Sequence, residues 1–461
     1  MSLTRQLPEI PDLIGLHRQQ PEKYPHYLSS AADSALNHPN ERFSMLFLAR
    51  GETLELSANG QLHGPDKLVS ANQGFLDTLD DWFQQLKVAF DEADCLPFYG
   101  GWFVFLGYEI AAEIEPILDL PACRNPSNST KFPTAFAQRC PAAVIIDHNQ
   151  SKAWLVAEQA ELLEEMQADL AATDDIPHAE QLPDFSLCVD PDENYLAAVA
   201  TAIDYIHAGD VFQVNLSRAW NIQAQQRTPE SMAILEALQT NNPAPFTGLS
   251  IYRQQAIISS SPERLLEING PLVQARPIAG TRPRSSSAAG DRALLEELIN
   301  HPKERSEHIM LIDLVRNDLG RVCETGSVQV DELMVVEQHP HVHHIVSNIR
   351  GKLKPVYSPI DAIRAVFPGG TITGCPKVRC MQIIAQLEDS GRGVYTGSMG
   401  YLSRNGNLDM NILIRSLFQQ GKKLVFRTGG GIVADSEPEA ELRETEAKAK
   451  GLLLALGLSH A

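Results

Sequence analysis

Hydrophobic and polar positions along this chain fall into two periods, and each marks a different kind of element. Tyr195, Val199, Ala202, Ile203 and Ile206 recur at helical spacing, and Gly209 is a good stop, so a helix is predicted up to that glycine. From Val211 to Ser217 the period changes to two. Phe212, Val214 and Leu216 share one face of a predicted strand, and Val211, Gln213, Asn215 and Ser217 share the other, more polar one. A Glu-rich helix is predicted near 157–172. The Pro- and Asp-rich stretch Asp174–Glu193 that follows breaks the pattern on both sides and reads as a linker. Before it, strand-like and helical pieces alternate. Pro97-Phe98-Tyr99-Gly100-Gly101-Trp102, running on to Gly107-Tyr108-Glu109, reads as an aromatic strand whose paired glycines allow close backbone packing. After the linker a helix comes first, then mostly strands with a few long helices, which predicts α+β layers around a large sheet.

Two helices carry a break in this patterning that invites chemistry. In the last one, Ser436 with Glu439 fits a capping box and Pro438 suits the first turn. Glu441, Glu444 and Lys448 then fall at i, i+3 and i+7, on one face. Such a face is ordinarily a solvated acidic surface, yet two carboxylates on it can hold a hard cation such as Mg²⁺. The other helix runs from Lys303-Glu304-Arg305-Ser306-Glu307-His308 abruptly into the apolar run Ile309–Leu314. Glu307 sits at the junction, where a half-buried carboxylate needs a partner. Arg316 and Asp318, near its end, read as a structural ion-pair network.

Composition narrows the function. The 461 residues exceed the usual size of one compact domain. No apolar run reaches 18 residues, and the first residues lack a secretion-signal pattern, so no membrane span and a cytoplasmic location are expected. Seven scattered cysteines without a CxxC pair fit reduced thiols. With 38 basic against 58 acidic residues the formal charge is −20, which disfavours nucleic acid. An anionic small substrate then needs a locally positive site made by a metal, arginines or helix N-termini. The loop Gly369-Gly370-Thr371-Ile372-Thr373-Gly374-Cys375-Pro376-Lys377 misses the phosphate-loop pattern, since Cys375 follows its last glycine, although backbone N–H groups there can still meet a carboxylate. Gly429-Gly430-Gly431 offers a second close backbone approach, or a plain turn. His339, His341 and His343 share one strand face and could bind zinc, but no fourth ligand is visible.

Taken in order, Gly209-Asp210 with Gln213-Val214-Asn215-Leu216, Ser261-Pro262-Glu263-Arg264, Arg276-Pro277-Ile278-Ala279-Gly280-Thr281 and Glu307-His308 through Asp318 resemble the chorismate-utilising enzymes. So do Val342-His343-His344, Gly370–Lys377, Gly397–Tyr401 and Glu441-x-x-Glu444-Thr445. The likeness spans roughly 190–456, and a weaker one to the first region of anthranilate and aminodeoxychorismate synthase large subunits covers roughly 10–173, with 174–193 between them. It implies antiparallel sheets packed face to face with helices outside. It implies Mg²⁺ held by Glu307 and Glu444 with Glu441 nearby, gripping the ring carboxylate of chorismate. Arg415 and Tyr395 match binders of the enolpyruvyl carboxylate, helped by Gly429, Gly430 and Gly431. Gly280, Thr281 and Thr371 match positions lining the ring. Glu263 resembles the acid that protonates the departing C4 hydroxyl, His344 the histidine beside the ring, and Lys448 the lysine next to the metal carboxylates.

Within that resemblance Gln213 favours ammonia, because relatives that add water carry a lysine base there and glutamine is not a base. Asn215-Leu216, His343-His344 and Gly369-Gly370 look more like the aminodeoxychorismate synthase branch, component I. Ala279 and Thr281-Arg282-Pro283-Arg284 follow the anthranilate synthase branch, which makes anthranilate and pyruvate. Ala279 excludes a covalent route through that position. No glutaminase module is evident, so ammonia from a separate glutamine amidotransferase subunit, in a heterodimer, is implied. A non-catalytic subunit binding chorismate or tryptophan is the contrasting reading, against which stand Glu263, Glu307, His344, Arg415 and Glu444.

Overall fold

The computed structural model describes residues 2–30, 42–70, 73–92, 95–121, 132–173, 181–285, 287–300, 302–338, 342–388 and 390–458. Among these, two large sheets form, one of twelve strands and one of eleven, and every neighbouring pair is antiparallel. The alternation predicted for strands sorts their side chains between three layers of core. In Gly101–Leu106, Phe103 and Phe105 point to the layer between the sheets, where they meet Phe47, Phe136, Ile145, Ile257, Met399 and Tyr401. Trp102, Val104 and Leu106 point the other way, onto Trp82, Phe83, Ile360 and Ile363 of the helices Phe75–Leu86 and Pro359–Val366. The outer face of the first sheet is covered by the helices Leu13–Gln19, Ala160–Ala171, Ser231–Asn241 and Pro438–Ala455, packed on Leu46, Val144, Trp220 and Phe426. This is the expected face-to-face α+β architecture.

Both sheets run across the stretch read as a linker. His26–Ser29 pairs with Phe246–Tyr252, and Gly101–Leu106 with Ser398–Ser403, so the N-terminal and C-terminal regions share each sheet. Part of Asp174–Glu193 is itself a strand: Phe185–Val189 lies along Ala224–Trp220 at a sheet edge. Its period-two pattern is masked by flanking Pro and Asp. The paired glycines behave as predicted. Gly101 has φ +150, and a Cβ there would overlap the backbone of Leu402 on the paired strand.

Two local expectations change. The strand begins at Gln213, not Val211, and Phe212 is 71% exposed just before it. The more polar face, Gln213, Asn215 and Ser217, is buried. At the last helix the N-cap is Glu437 without a side-chain bond, and the Ser436 hydroxyl instead accepts from the Val433 N–H at 3.1 Å. The capping box is therefore not formed, although Pro438 does open the first turn.

Candidate active site

The site is built first from two paired strands. Gln213–Ala224 lies antiparallel to Lys423–Ile432, with Asn215 opposite Gly431, Leu216 opposite Gly430 and Ser217 opposite Gly429. Alternation turns successive glycines to opposite faces. A Cβ on Gly430 would stand 3.2 Å from Glu441 Oε2 and 3.5 Å from Glu444 Oε1, so the predicted carboxylate face of helix Pro438–Ala455 rests on this glycine. A Cβ on Gly431 would overlap the Gln213 amide nitrogen. The triple glycine thus lets a helix and a side chain close on one strand from both sides. Lys448 completes the corner, donating to the Gly429 carbonyl at 2.9 Å and pairing with Glu444 at 2.6 Å.

Glu263 lies where the chain crosses from one sheet to the other, between strands Gln255–Ser261 and Arg264–Asn269. Its backbone is pinned: its N–H donates to Ser261 Oγ at 3.2 Å and its carbonyl accepts from Ile412 N–H at 3.0 Å. Burial pushes its carboxyl up to about 7, against the opposing pull of the Thr371 hydroxyl, the Ile278 N–H and the Lys448 ammonium. The turn Gly370–Ile372 that brings Thr371 to it is tied down by Arg392, whose guanidinium donates to the Ile372 carbonyl. Arg392 also stacks on Tyr395, ring centroid at 5.5 Å. Burial first, moderated by that guanidinium, raises the Tyr395 phenol to about 12. Arg415 differs from most arginines here. Burial alone acts on it, lowering its pKa, and no carboxylate among the described residues pairs with it. A desolvated cation without an anion suits a carboxylate ligand.

Among the polar atoms of the described residues that are buried with no hydrogen-bond partner, four belong to this site: Gln213 Oε1, Asn215 Oδ1 and the Tyr195 and Thr371 hydroxyls. Burial, then the Glu441 carboxylate, raises the Tyr195 phenol, which places that ring beside the acidic face. Orphans of this kind are rare in folded proteins and concentrate where a ligand completes the bonding.

Of the other predicted positions, Gly280 has φ +70 at a register shift between strands Ile278–Pro283 and Val342–Lys352, a conformation that suits glycine. Thr281 lies opposite His344 in that pairing, and its side chain, like that of Ala279, is outside the described set. His344 is buried, on the strand face opposite to His343. His343 contacts Asp291 at 3.0 Å, whose carboxylate Arg284 holds well below its usual range. His339 and His341 lie outside the described residues. Glu307 is half-buried on helix Pro302–Gly320, next to His308, which contacts Ser347 Oγ at 2.7 Å and is pushed down to about 4 by burial. Among the described residues no three metal-capable side chains close into one group. Glu441 and Glu444 meet at Gly430, and Glu307 sits on a separate helix, Pro302–Gly320. Arg316 and Asp318 do form ion pairs, but separate ones, with Asp313 at 2.8 Å and with Lys377 at 2.7 Å. Sequence reasoning missed Tyr195, Glu388 and Arg392; the first was read only as an apolar helix position.

The chain is similar to known proteins over most of its length. The family model described as chorismate binding enzyme matches residues 35–454. An anthranilate synthase component I-like protein of Synechocystis sp. is 44% identical over 362 residues, covering 78% of this chain and 73% of the relative. Aminodeoxychorismate synthase component 1 of Escherichia coli is 36% identical over 445 residues, 91% of each. The crystal structure of anthranilate synthase component I from Streptococcus pneumoniae superposes with a TM-score of 0.76 at 30% identity, covering 90% of this chain and 93% of that one.

Proposed function

The chain belongs to the chorismate-binding enzymes, and we propose that within the family it is the component I of an aminodeoxychorismate synthase. It would join ammonia to chorismate to give 4-amino-4-deoxychorismate and water. The observation that carries an amination is Gln213. Its amide lies buried against Gly431 with its oxygen unpartnered, and an amide cannot remove the proton that attacking water must lose. Ammonia needs no such base, and an amide oxygen can accept one of its N–H bonds.

The remaining residues take consistent parts. Glu263, raised to about 7, holds a proton near neutral pH and gives it to the departing C4 hydroxyl, which leaves as water. Arg415 and Tyr395 bind the enolpyruvyl carboxylate, while Thr371, Gly280 and Thr281 border the ring and His344 lies beside it. The hard oxygen donors Glu441 and Glu444 suit Mg²⁺, which keeps several waters and needs few protein carboxylates, and Glu307 would join them as the resemblance implies. When bound, that ion would neutralise the ring carboxylate and template the substrate. Lys448 orients Glu444.

Asn215, His343-His344 and Gly369-Gly370 support amination at C4. Ala279 carries no nucleophile, so ammonia would attack directly. That alanine favours a second reading, anthranilate synthase component I. Incubation with chorismate, Mg²⁺ and ammonia, followed by chromatography, decides between them. A product that a lyase converts to 4-aminobenzoate supports the proposal, and anthranilate overturns it. The ammonia donor is a separate glutamine amidotransferase subunit, in keeping with the relatives' designation as component 1. Free ammonia should replace it, raised pH supplying more of the unprotonated nucleophile while drawing down the protonated Glu263.

A further inference from the structure

We propose that Arg392, fixed by Glu388, is a positioning residue that sets the separation of three substrate-facing pieces without itself meeting chorismate. Its guanidinium donates to the Ile372 carbonyl at 2.9 Å, next to Thr371, and to the Asn215 carbonyl at 2.8 Å, on the strand of Gln213. Its flat face lies 5.5 Å from the Tyr395 ring and 5.0 Å from the Tyr108 ring. One rigid fork therefore links the turn, the strand and the aromatic ring that the preceding assignment gives to substrate, and the inference rests on that assignment.

Glu388 makes the fork immobile. It receives Arg392 at 2.8 and 3.1 Å, Arg427 at 3.1 Å, and both the N–H and the hydroxyl of Ser217, at 2.9 and 2.8 Å. Arg427, which also donates to Ser217 Oγ at 3.0 Å, itself belongs to the strand Lys423–Ile432 that carries the glycine triple. A charge cluster so deeply buried is an expensive way to gain stability, and well-packed apolar side chains often do as well or better. What it supplies that they cannot is fixed direction: a guanidinium offers five donors in one plane, each aimed. A lysine would keep the charge and lose the geometry. None of these bonds reaches Glu441, Glu444 or Lys448, so the device meets the cation corner only through the backbone of a shared strand.

Arg392→Lys and Glu388→Gln test it, both close in size to the native residues. Chorismate consumption is followed with ammonia saturating, a readout indifferent to whether C2 or C4 is aminated, and chorismate binding is measured by calorimetry with Mg²⁺ present. Both variants should weaken chorismate binding by roughly tenfold to a hundredfold, the cost of small misplacements in a site. Half-saturating Mg²⁺ should stay within a factor of two. Guanidinium ion, at concentrations that leave the wild type folded, should restore part of the turnover of Arg392→Ala and none to Glu263→Gln. Native chorismate affinity in Arg392→Lys and Glu388→Gln overturns the inference, and so does a parallel rise in the Mg²⁺ requirement, the mark of general loosening. If the wild type itself binds no chorismate, the functional reading has failed instead.

Discussion

Two buried glutamates lie about the turn Gly370–Ile372, Glu263 on the side of Thr371 and Glu388 linked to it through Arg392, and their carboxyls are shifted in opposite directions. Glu263 is 5% exposed and Glu388 is 7% exposed, so water is withdrawn from both alike. Burial is the largest influence on each, and it pushes each upward. Glu263 ends near 7, with only a hydroxyl, one N–H and a lysine opposing. Glu388 ends below the ordinary carboxylate value, because Arg392 and Arg427, with Ser217, outweigh its burial. The number and rigidity of donors, more than depth, decides whether a buried carboxyl is an acid or an anchor. One region keeps a proton for chemistry; the other gives up that freedom to hold the frame.

The comparison breaks most sharply at Glu263. Glu263→Gln keeps shape and neutrality but cannot deliver a proton, so turnover should fall by roughly 10²–10⁴. Chorismate affinity by calorimetry should change little. Near-native turnover would remove Glu263 from the role of acid and leave it merely a buried carboxyl.

Glu388→Ala should do the reverse damage. It strands Arg392 and Arg427 in the interior, and removing one partner of a buried ion pair costs about 3–5 kcal/mol. Urea unfolding at pH 7.5 measures it, and a loss under about 1 kcal/mol would mean the cluster is not the anchor described.

The pH dependence of stability should separate the two with opposite signs. Glu263 binds its proton more tightly folded than unfolded, so the stability this gives is present at low pH and is lost as pH rises through about 7. Glu388 binds its proton less tightly when folded, so its contribution is present above the unfolded value and is lost as pH falls. Glu263→Gln should therefore be more stable than the wild type at pH 8, by on the order of 2 kcal/mol, and not at pH 4.5. Denaturant curves at both pH values check this. With ammonia saturating, wild-type turnover should decline above about pH 7, where Glu263 loses its proton.

These two regions were unequally legible in the sequence. Glu263 stands in a short ordered motif, Ser261-Pro262-Glu263-Arg264, and the carboxylates of the last helix, by spacing alone an ordinary acidic face, were singled out by the resemblance. The α+β layering followed from the order of elements, and the antiparallel, face-to-face sheets from the resemblance. Glu388 and Arg392 gave no such signal. They follow the helix Lys377–Leu387, in a segment with neither period, and their partners are backbone carbonyls at 372 and 215, which sequence spacing does not reveal. Tyr195 was hidden differently, since a tyrosine at helical spacing reads as core until its hydroxyl proves to be buried without a partner. The strand Phe185–Val189 and the unmade cap at Ser436 failed for a shared reason: local residue chemistry favoured a linker and a capping box, and long-range pairing and loop geometry won.

A third acidic region refines the contrast. Glu444 is half exposed, 51% for its side chain, and has Lys448 for a partner, so water and one ammonium take the place of a donor cage. Glu444→Gln should raise half-saturating Mg²⁺ by at least the roughly tenfold that losing an outer hydrogen-bond partner of a metal ligand costs, with stability nearly unchanged. Native Mg²⁺ dependence would reject its assignment.

The smallest effect belongs to Gly430→Ala. The added methyl would stand 3.2 and 3.5 Å from the Glu441 and Glu444 oxygens, which are the free ends of helix side chains and can yield by a few tenths of an ångström. A rise of only a few-fold in half-saturating Mg²⁺ is expected, without loss of fold. Gly431→Ala, one residue on, should leave Mg²⁺ alone and weaken the response to ammonia, because its methyl overlaps the Gln213 amide instead. Equal effects of the two alanines on both titrations would mean that the strand does not separate the cation corner from the nucleophile side.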